Sequence, residues 1–427
     1  MESLAESMPG QAAMPRLEDG SINLRELMRR LAEDVVNAIM DAEADQLCAG
    51  GANSRNGYRE RNLVTCVGDI TLRIPKLRTG SFFPEDVVER YQRVDRAVVA
   101  AVAEMYATGT STRKVQRVAE KLGISRLSKD QVGAIAQNLD ADVAELLGRD
   151  LGGSRTPYLW LDATYVKCRR DGRVASTAVV TAIGCDEGGW RRVAGLAVVD
   201  TESYDSWAGF LRGIRDRGVH GVQLVTSDAH KGLIRAIEEV FQGASWQRCA
   251  VHLMRDCMRE AGSRSLKRRV GRIMSPVFRA KDAATARAMH HVACDMLRNC
   301  CPKAADVAEE AEPDALAHLA FPPSHWKRLR TNNVQERANR EIKRRSRVVQ
   351  VFPSEKSLER LVGAVMCELD EQWSESRYFA YDKIQELYDE KRKKGPEGAG
   401  RPTADLAETA RKMILASLEL AEKVDAA

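Results

Sequence analysis

The order of strand-like and helix-like patterns between residues 157 and 252 constrains the fold more than any other feature of this sequence. Three apolar, β-branched runs follow one another, namely PYLWLDATYVKCR, RVASTAVVTAIGCD and WRRVAGLAVVD. A helical pattern comes next, then a strand, a turn and a helix in VQLVTSDAHKGLIRAIEEVF, and a fifth strand begins in SWQRCAVH. Residues 253–320 are helical in composition almost throughout. This order predicts an α/β core with a mixed sheet, followed by a large helical block.

Two aspartates occupy notable positions in these strands. Asp162 follows the apolar run 158–161 within the first strand, and Asp228 follows the run 222–225 at the tip of the fourth. If the two strands are neighbours, the two carboxylates converge. Asp228 has the alternative role of capping the next helix. Asp162 is harder to explain structurally, because a charge inside a buried strand is costly unless it is paired or metal-bound.

Positive charge is concentrated in two segments. Residues 248–281 contain ten Lys or Arg residues and two acidic residues. Residues 327–347 contain nine Lys or Arg residues and two acidic residues. Single charge runs are usually solvated helix faces. Two runs separated by a more acidic stretch indicate a polyanionic partner such as nucleic acid.

Glu336 stands within the second basic segment, in NNVQERANREIKRRSRVVQVFPS. A third carboxylate beside the two aspartates would complete a site for two divalent ions, which promote phosphodiester cleavage when about 4 Å apart. Mg²⁺ prefers such oxygen ligands. Arg340 and Lys343 share the helix face of Glu336 and would follow the flanking DNA backbone, as would the neighbouring Arg344. The alternative is an ordinary Glu–Arg pair on an exposed helix.

The N-terminal third predicts a separate, basic region. Residues 21–48 have helical periodicity, and alternating apolar positions around Gly68-Asp69 predict a β-hairpin. Residues 95–148 predict three helices. A break at Leu122-Gly123-Ile124 and a new start at Ser128 suit a helix-turn-helix. Its predicted DNA contacts are Arg113, Lys114, Arg117 and Lys129. Two packed helices with a glycine break are also common in proteins that do not bind DNA.

The stretches LDATYVKCR, TSDAHKGL, WQRCAVHLMRD and NNVQERANREIKRRSRVVQVFPS together resemble the DDE transposases of bacterial insertion sequences, of the Mutator type. The resemblance extends from about residue 20 to residue 375. It implies an RNase H-like core, interrupted by a helical insertion before the final glutamate. It places the catalytic, metal-binding triad at Asp162, Asp228 and Glu336, with Mg²⁺ or Mn²⁺, two ions, as cofactor. It further implies cleavage and joining of double-stranded DNA at terminal inverted repeats and in target DNA, and a homodimer.

The resulting domain plan has six segments. They are an N-terminal helical and hairpin DNA-binding region at 1–94, a helix-turn-helix domain at 95–150, the first part of the core at 151–252, the insertion at 253–326, the final core helix at 327–375, and a C-terminal linker and helix at 376–427.

Several secondary residues have two interpretations each. Cys249 and His252 form a C-x-x-H pair like that of the family, which we interpret as active-site support, with His252 also contacting DNA. Half a zinc site, or a core cysteine with a hydrogen-bonded histidine, are the alternatives. Lys167 would grip the DNA backbone. Trp326 would either stack on a base or close the core.

Ten cysteines without a C-x-x-C pair, no signal-peptide pattern and no long apolar run predict a cytoplasmic protein away from membranes. The resemblance implies that this protein is bacterial and associated with the nucleoid. Two other functions stay open at this stage. One is a catalytically inactive DNA-binding protein derived from such an element. The other is an RNase H-like nuclease that cuts without joining.

Overall fold

The computed structural model describes residues 14–49, 53–80, 82, 96–110, 112–121, 124, 129–389 and 402–426. The chain divides into two compact units, residues 1–140 and residues 141–427. Among the described residues, no helix is both long and apolar enough to cross a bilayer.

The first unit begins with a long helix and a two-stranded hairpin. Their bounds are α1 Leu24–Cys48, β1 Arg55–Thr65 and β2 Gly68–Leu77. The Asn23 side chain caps α1 by accepting from the amide of Glu26. The hairpin turn depends on Gly68, whose φ of 126° is strained for any other residue. The predicted helix and hairpin are therefore confirmed.

Short helices follow where three were predicted over residues 95–148. The described residues contain four: α2 Arg96–Ala107, α3 Thr112–Lys121, α4 Lys129–Ala136 and α5 Leu139–Gly148. The prediction was wrong in running one helix through Leu139. The amides of Gln137 and Asn138 bond to carbonyls three residues back, which tightens the chain into a turn there. The predicted break at Leu122-Gly123 and the cap at Ser128 lie outside the described residues.

The second unit contains the mixed sheet. Its strands are β3 Tyr158–Arg170, β4 Arg173–Cys185, β5 Arg191–Val199, β6 Leu224–Ser227 and β7 Ser245–Arg248. Their spatial order is β5-β4-β3-β6-β7. The first three strands pair antiparallel, and β6 and β7 run parallel to β3. The predicted α/β class and the order of the elements are confirmed.

Two helices connect the parallel strands and cover one face of the sheet. They are α6 Tyr204–Asp216 and α7 Lys231–Val240. Ser203 and Ser206 form a capping box at the start of α6. The imidazole of His230 caps α7 by accepting from the amide of Leu233. His230 therefore fills the capping role that was the alternative for Asp228.

The helical block has its own apolar core. Its helices are α8 Ala250–Arg259, α9 Arg264–Met274, α10 Ala283–Cys300, α11 Pro302–Glu310, α12 Glu312–Ala315 and α13 Trp326–Leu329. Trp326 is buried in this core, and its indole donates to the carbonyl of Phe321 at 2.7 Å. The core interpretation of this tryptophan is therefore the one that the structure favours over base stacking.

The last helices return the chain to the sheet and then to the block. They are α14 Asn333–Val349, α15 Glu355–Ser374, α16 Tyr381–Gln385 and α17 Ala404–Ala426. After α14, the backbone of Phe352 pairs with β3 through Lys167 and Arg169. Ala410 and Ile414 of α17 pack into the core of the block. The C-terminal helix thus packs on the body of the unit.

Candidate active site

Asp162 and Asp228 lie at the same level on neighbouring strands. The register of the parallel pair β3 and β6 sets Trp160 opposite Thr226. Asp162 is two residues beyond Trp160, and Asp228 is two residues beyond Thr226. The two aspartates therefore lie at the same level of the sheet, Asp162 within β3 and Asp228 just beyond the end of β6.

The carboxyl of Asp162 is in an environment that disfavours its charge. Its side chain is only 8% exposed. Burial first, and then the charge of Asp228, raise the pKa of Asp162 to about 7. Lys343 on α14 partly offsets this effect. A buried carboxyl beside a like charge is typical of a functional site, because folding alone gains nothing from it.

The start of α14 is fixed across β3 by two amide side chains. Asn332 donates to the carbonyl of Leu161 at 2.8 Å, and Gln335 donates to that of Trp160 at 2.6 Å. Gln335 also accepts from the hydroxyl of Thr181 on β4 at 2.9 Å. Both amides are fully buried. These contacts set the rotation of the helix that carries Glu336.

Asn339 is a site residue that sequence reasoning missed. Its side-chain amide donates to Oδ2 of Asp162 at 2.6 Å, and it is 8% exposed. It follows Glu336 by three residues, so both lie on the same face of α14. This spacing from Glu336 could have indicated Asn339 in the sequence. An asparagine in a basic helix, however, does not by itself show which residue it contacts.

Glu336 has a buried carboxylate oxygen with no hydrogen bond among the described residues. Arg255 of α8 approaches this Oε1 to 3.5 Å without donating to it. The alternative third acid, Glu341, is engaged elsewhere, since it pairs with Arg344 at 2.9 Å. Glu336 is thus the acid of α14 with a buried oxygen that accepts no hydrogen bond among the described residues, although Arg255 is its ion-pair partner.

The donor set suits a hard cation. Oδ1 of Asn332, Oε1 of Glu336 and Oδ1 of Asn339 are buried oxygens without hydrogen-bond partners in the described part of the chain. Mg²⁺ and Mn²⁺ prefer such oxygen donors. No three His, Cys, Asp or Glu side chains of the described residues are grouped closely enough to hold a metal ion. The residues therefore fit the cation by chemistry, while their side chains are not grouped as ligands in this conformation.

Cys249 and His252 border this site at the start of α8. Cys249 is fully buried, and its Sγ accepts the amide of Asn332 at 3.3 Å. Burial raises the pKa of this thiol, which keeps it neutral. Nδ1 of His252 is buried and has no hydrogen-bond partner among the described residues. Cys249 thereby ties α8 to α14, whereas a role for His252 in DNA contact stays a prediction.

The predicted DNA-contacting cations of the second unit are solvent-exposed. They are Lys167 on β3 and Arg340, Lys343 and Arg344 on α14. In the first unit, Arg113, Lys114 and Arg117 are exposed on α3. The side chain of Lys129 lies outside the described residues. Exposure leaves these groups available to phosphates, and their contact with DNA stays a prediction.

Comparison with known proteins gives a consistent result. A sequence model described as "Transposase, Mutator family" matches residues 10–376. The transposase for insertion sequence element IS1081 of Mycobacterium tuberculosis is 38% identical over 362 residues, covering 83% of this chain and 87% of the relative. The IS256 transposase in transposon Tn4001 of Staphylococcus aureus is 35% identical, covering 84% and 93%. The IS406 transposase of Burkholderia multivorans is 35% identical, covering 89% and 99%.

Proposed function

Because the chain belongs to the Mutator family of transposases, we propose that it binds the terminal inverted repeats of an insertion sequence and catalyses metal-dependent cleavage and strand transfer of DNA. The observation that carries this proposal is the placement of two aspartates at one level of adjacent strands, with a third acid on the helix that docks on β3. Asp162 within β3 is level with Asp228 just beyond β6, and Oε1 of Glu336 accepts no hydrogen bond among the described residues and lies 3.5 Å from Arg255. The strand order, with three antiparallel strands and two parallel ones, supports an RNase H-like core.

Asp162, Asp228 and Glu336 are the residues that would hold Mg²⁺ or Mn²⁺, two ions in all. When bound, the ions activate a water or a 3′-hydroxyl and stabilise the leaving oxygen. The chain's own contribution is orientation. Asn339 fixes Oδ2 of Asp162 through a 2.6 Å hydrogen bond. This bond holds one oxygen of the carboxyl, and the backbone amide of Ala163 also donates to the group.

The cations of α14 supply the second contribution. Arg340 and Lys343 are exposed on the helix that carries Glu336, so they hold the backbone that flanks the reacting phosphate. Phosphate contacts of this kind fix register and orientation but carry little sequence information. Recognition of the repeats is therefore assigned to the first unit, through a helix-turn-helix with Arg113, Lys114, Arg117 and Lys129. The partner is double-stranded DNA at the bacterial nucleoid, and the active form is a homodimer.

A strand-transfer assay with the element's own ends and Mg²⁺ tests the proposal. Asp162→Asn, Asp228→Asn and Glu336→Gln should each abolish cleavage and joining while DNA affinity is kept, because each removes a ligand charge at nearly constant shape. Glu341→Gln is the matched control and should retain activity. Cleavage without joining by the wild type would indicate a nuclease. Binding without cleavage would indicate an inactive DNA-binding protein. Near-normal activity in one triad variant would remove that residue from the triad.

A further inference from the structure

Helix α1 has two apolar faces, and only one of them is covered. Met40 and Ala44 are fully buried against the hairpin, where they pack with Ile70, Leu72 and Ile74. The opposite side of the helix carries large side chains in solvent. Their exposed fractions are 68% for Leu24, 51% for Met28, 51% for Leu31, 47% for Val35 and 44% for Ile39. A continuous exposed apolar stripe of this kind marks an interaction surface.

The spacing of the stripe is that of a coiled coil. Within the stripe, the exposed apolar positions 24, 28, 31, 35, 38 and 42 follow one another at intervals of four, three, four, three and four, and Ile39 flanks this series. This is the heptad seam along which two helices interlock side chains. An amphipathic helix that only covers its own core would show one apolar face, and here the hairpin already occupies that face.

We propose that this stripe, residues 24–42 of α1, is the surface through which two copies of the chain pair, with the two α1 helices antiparallel. A two-fold axis near Glu33 sets Leu24 opposite Ala42 of the second copy. The same axis sets Met28 opposite Ala38 and Leu31 opposite Val35. The outer layers then each combine one large and one small side chain, so the helix axes stay at one distance along the seam.

A parallel pair would not achieve this packing. It would stack Leu24 on Leu24 at one end and Ala42 on Ala42 at the other, so the helices would splay or leave the alanine layers unfilled. Charge also favours the antiparallel arrangement. Arg25 and Glu43 are 18 residues apart, which is five helical turns, so they lie on the same flank of α1. The two-fold axis brings Arg25 of each copy to Glu43 of the other, whereas in a parallel pair these residues would lie five turns apart along the seam.

Sedimentation velocity of the full chain tests the surface. The double variant Leu31→Glu with Val35→Glu should raise the dimer dissociation constant at least about 100-fold, since it sets four charges into the central layers of each pair. Its circular dichroism should match the wild type, because both side chains are exposed in the single chain. Leu415→Glu on α17 is the matched control, since Leu415 is 43% exposed, and it should leave the constant unchanged. A wild type that stays monomeric, or a double variant that still dimerises, would overturn the proposal.

Cysteine cross-linking tests the orientation. In a background with Cys48→Ser and Cys66→Ser, chains with Leu24→Cys should form disulfides with chains carrying Ala42→Cys when the two are mixed. Each variant alone should stay uncross-linked. Cross-linking of the Leu24→Cys chain to itself would indicate parallel helices and refute the register. Removal of residues 1–13 should leave the dimer intact. Dimers that form only after this removal would show that the tail of the same chain is the occupant.

Discussion

The buried carboxyl of Asp162 should make the second unit less stable as the pH rises. In the metal-free protein, burial and Asp228 raise the pKa of Asp162 to about 7, from an ordinary value of 3.8. Between these values the folded chain binds the proton and the unfolded chain does not. The stabilising effect of the proton is therefore complete below the unfolded pKa and is lost as the pH rises through the folded one. The direction is opposite to that of an aspartate in a salt bridge.

The substitution Asp162→Asn removes this titration at nearly constant shape. The difference between the ordinary pKa of 3.8 and the folded pKa of about 7 lowers the folding stability by about 4 kcal/mol at a pH where the carboxyl is ionised in both states. The conversion is about 1.4 kcal/mol per pKa unit. At pH 5, less than half of that cost is present, because the folded carboxyl is still protonated. The stability of the variant relative to the wild type should therefore increase by about 3 kcal/mol between pH 5 and pH 8.5. Solvent screening is small, since Asp162 is 8% exposed.

Denaturant unfolding followed by tryptophan fluorescence measures this difference. All six tryptophans lie at positions 160, 190, 207, 246, 326 and 373, so the signal reports the second unit alone. Comparison of variant and wild type at each pH cancels the other titrating groups. Saturating Mg²⁺ should then stabilise the wild type at pH 8.5 and have less effect on the variant. A difference that does not change with pH, or a variant that is the less stable protein at pH 8.5, would refute the assignment of Asp162 as a strained acid.

Two further predictions concern α14. Replacing Arg340 and Lys343 together with Ala should weaken binding to all DNA sequences about equally. It should also flatten the dependence of log K on log salt concentration by up to about 2, at roughly 0.9 per lost phosphate contact. A salt titration on a random duplex measures this slope, and an unchanged slope would show that both residues lie on a face that only contacts solvent. Arg344→Ala should change the slope less, because Arg344 is already paired within the helix. Asn339→Ala should slow strand cleavage roughly 10–100-fold with DNA affinity unchanged, since it frees Oδ2 of Asp162. It should also shift the pH profile of cleavage to higher pH, because the carboxylate of Asp162 loses a hydrogen-bond donor. If variant and wild type have the same pH profile, the role of Asn339 is only structural.

The sequence predicts the elements of this site better than their contacts. Apolar runs that end in an acid locate Asp162 and Asp228, because a buried strand has a simple hydrophobic signature. The acid in a basic helix locates Glu336. The roles of Asn332, Gln335 and Asn339 have no such signature, since their partners are backbone carbonyls and a carboxylate far away in the chain. For the same reason, the sequence shows the apolar stripe of α1 but not that the hairpin covers the other side.

The docking of α14 also explains why a helix proposed to bind phosphates keeps an acid. A helix turns by 100° per residue, so a shift of one position would replace Glu336 with Gln335 or Arg337 at the site. Two buried amides prevent that shift, because Asn332 and Gln335 each bond to a carbonyl of β3. Beyond them the same helix carries a carboxylate toward the interior and, further along, exposed cations such as Lys343 toward solvent. The acid therefore lies where a metal ion, rather than a phosphate, would be its neighbour. Repulsion between the acid and DNA disappears once that ion lies between them.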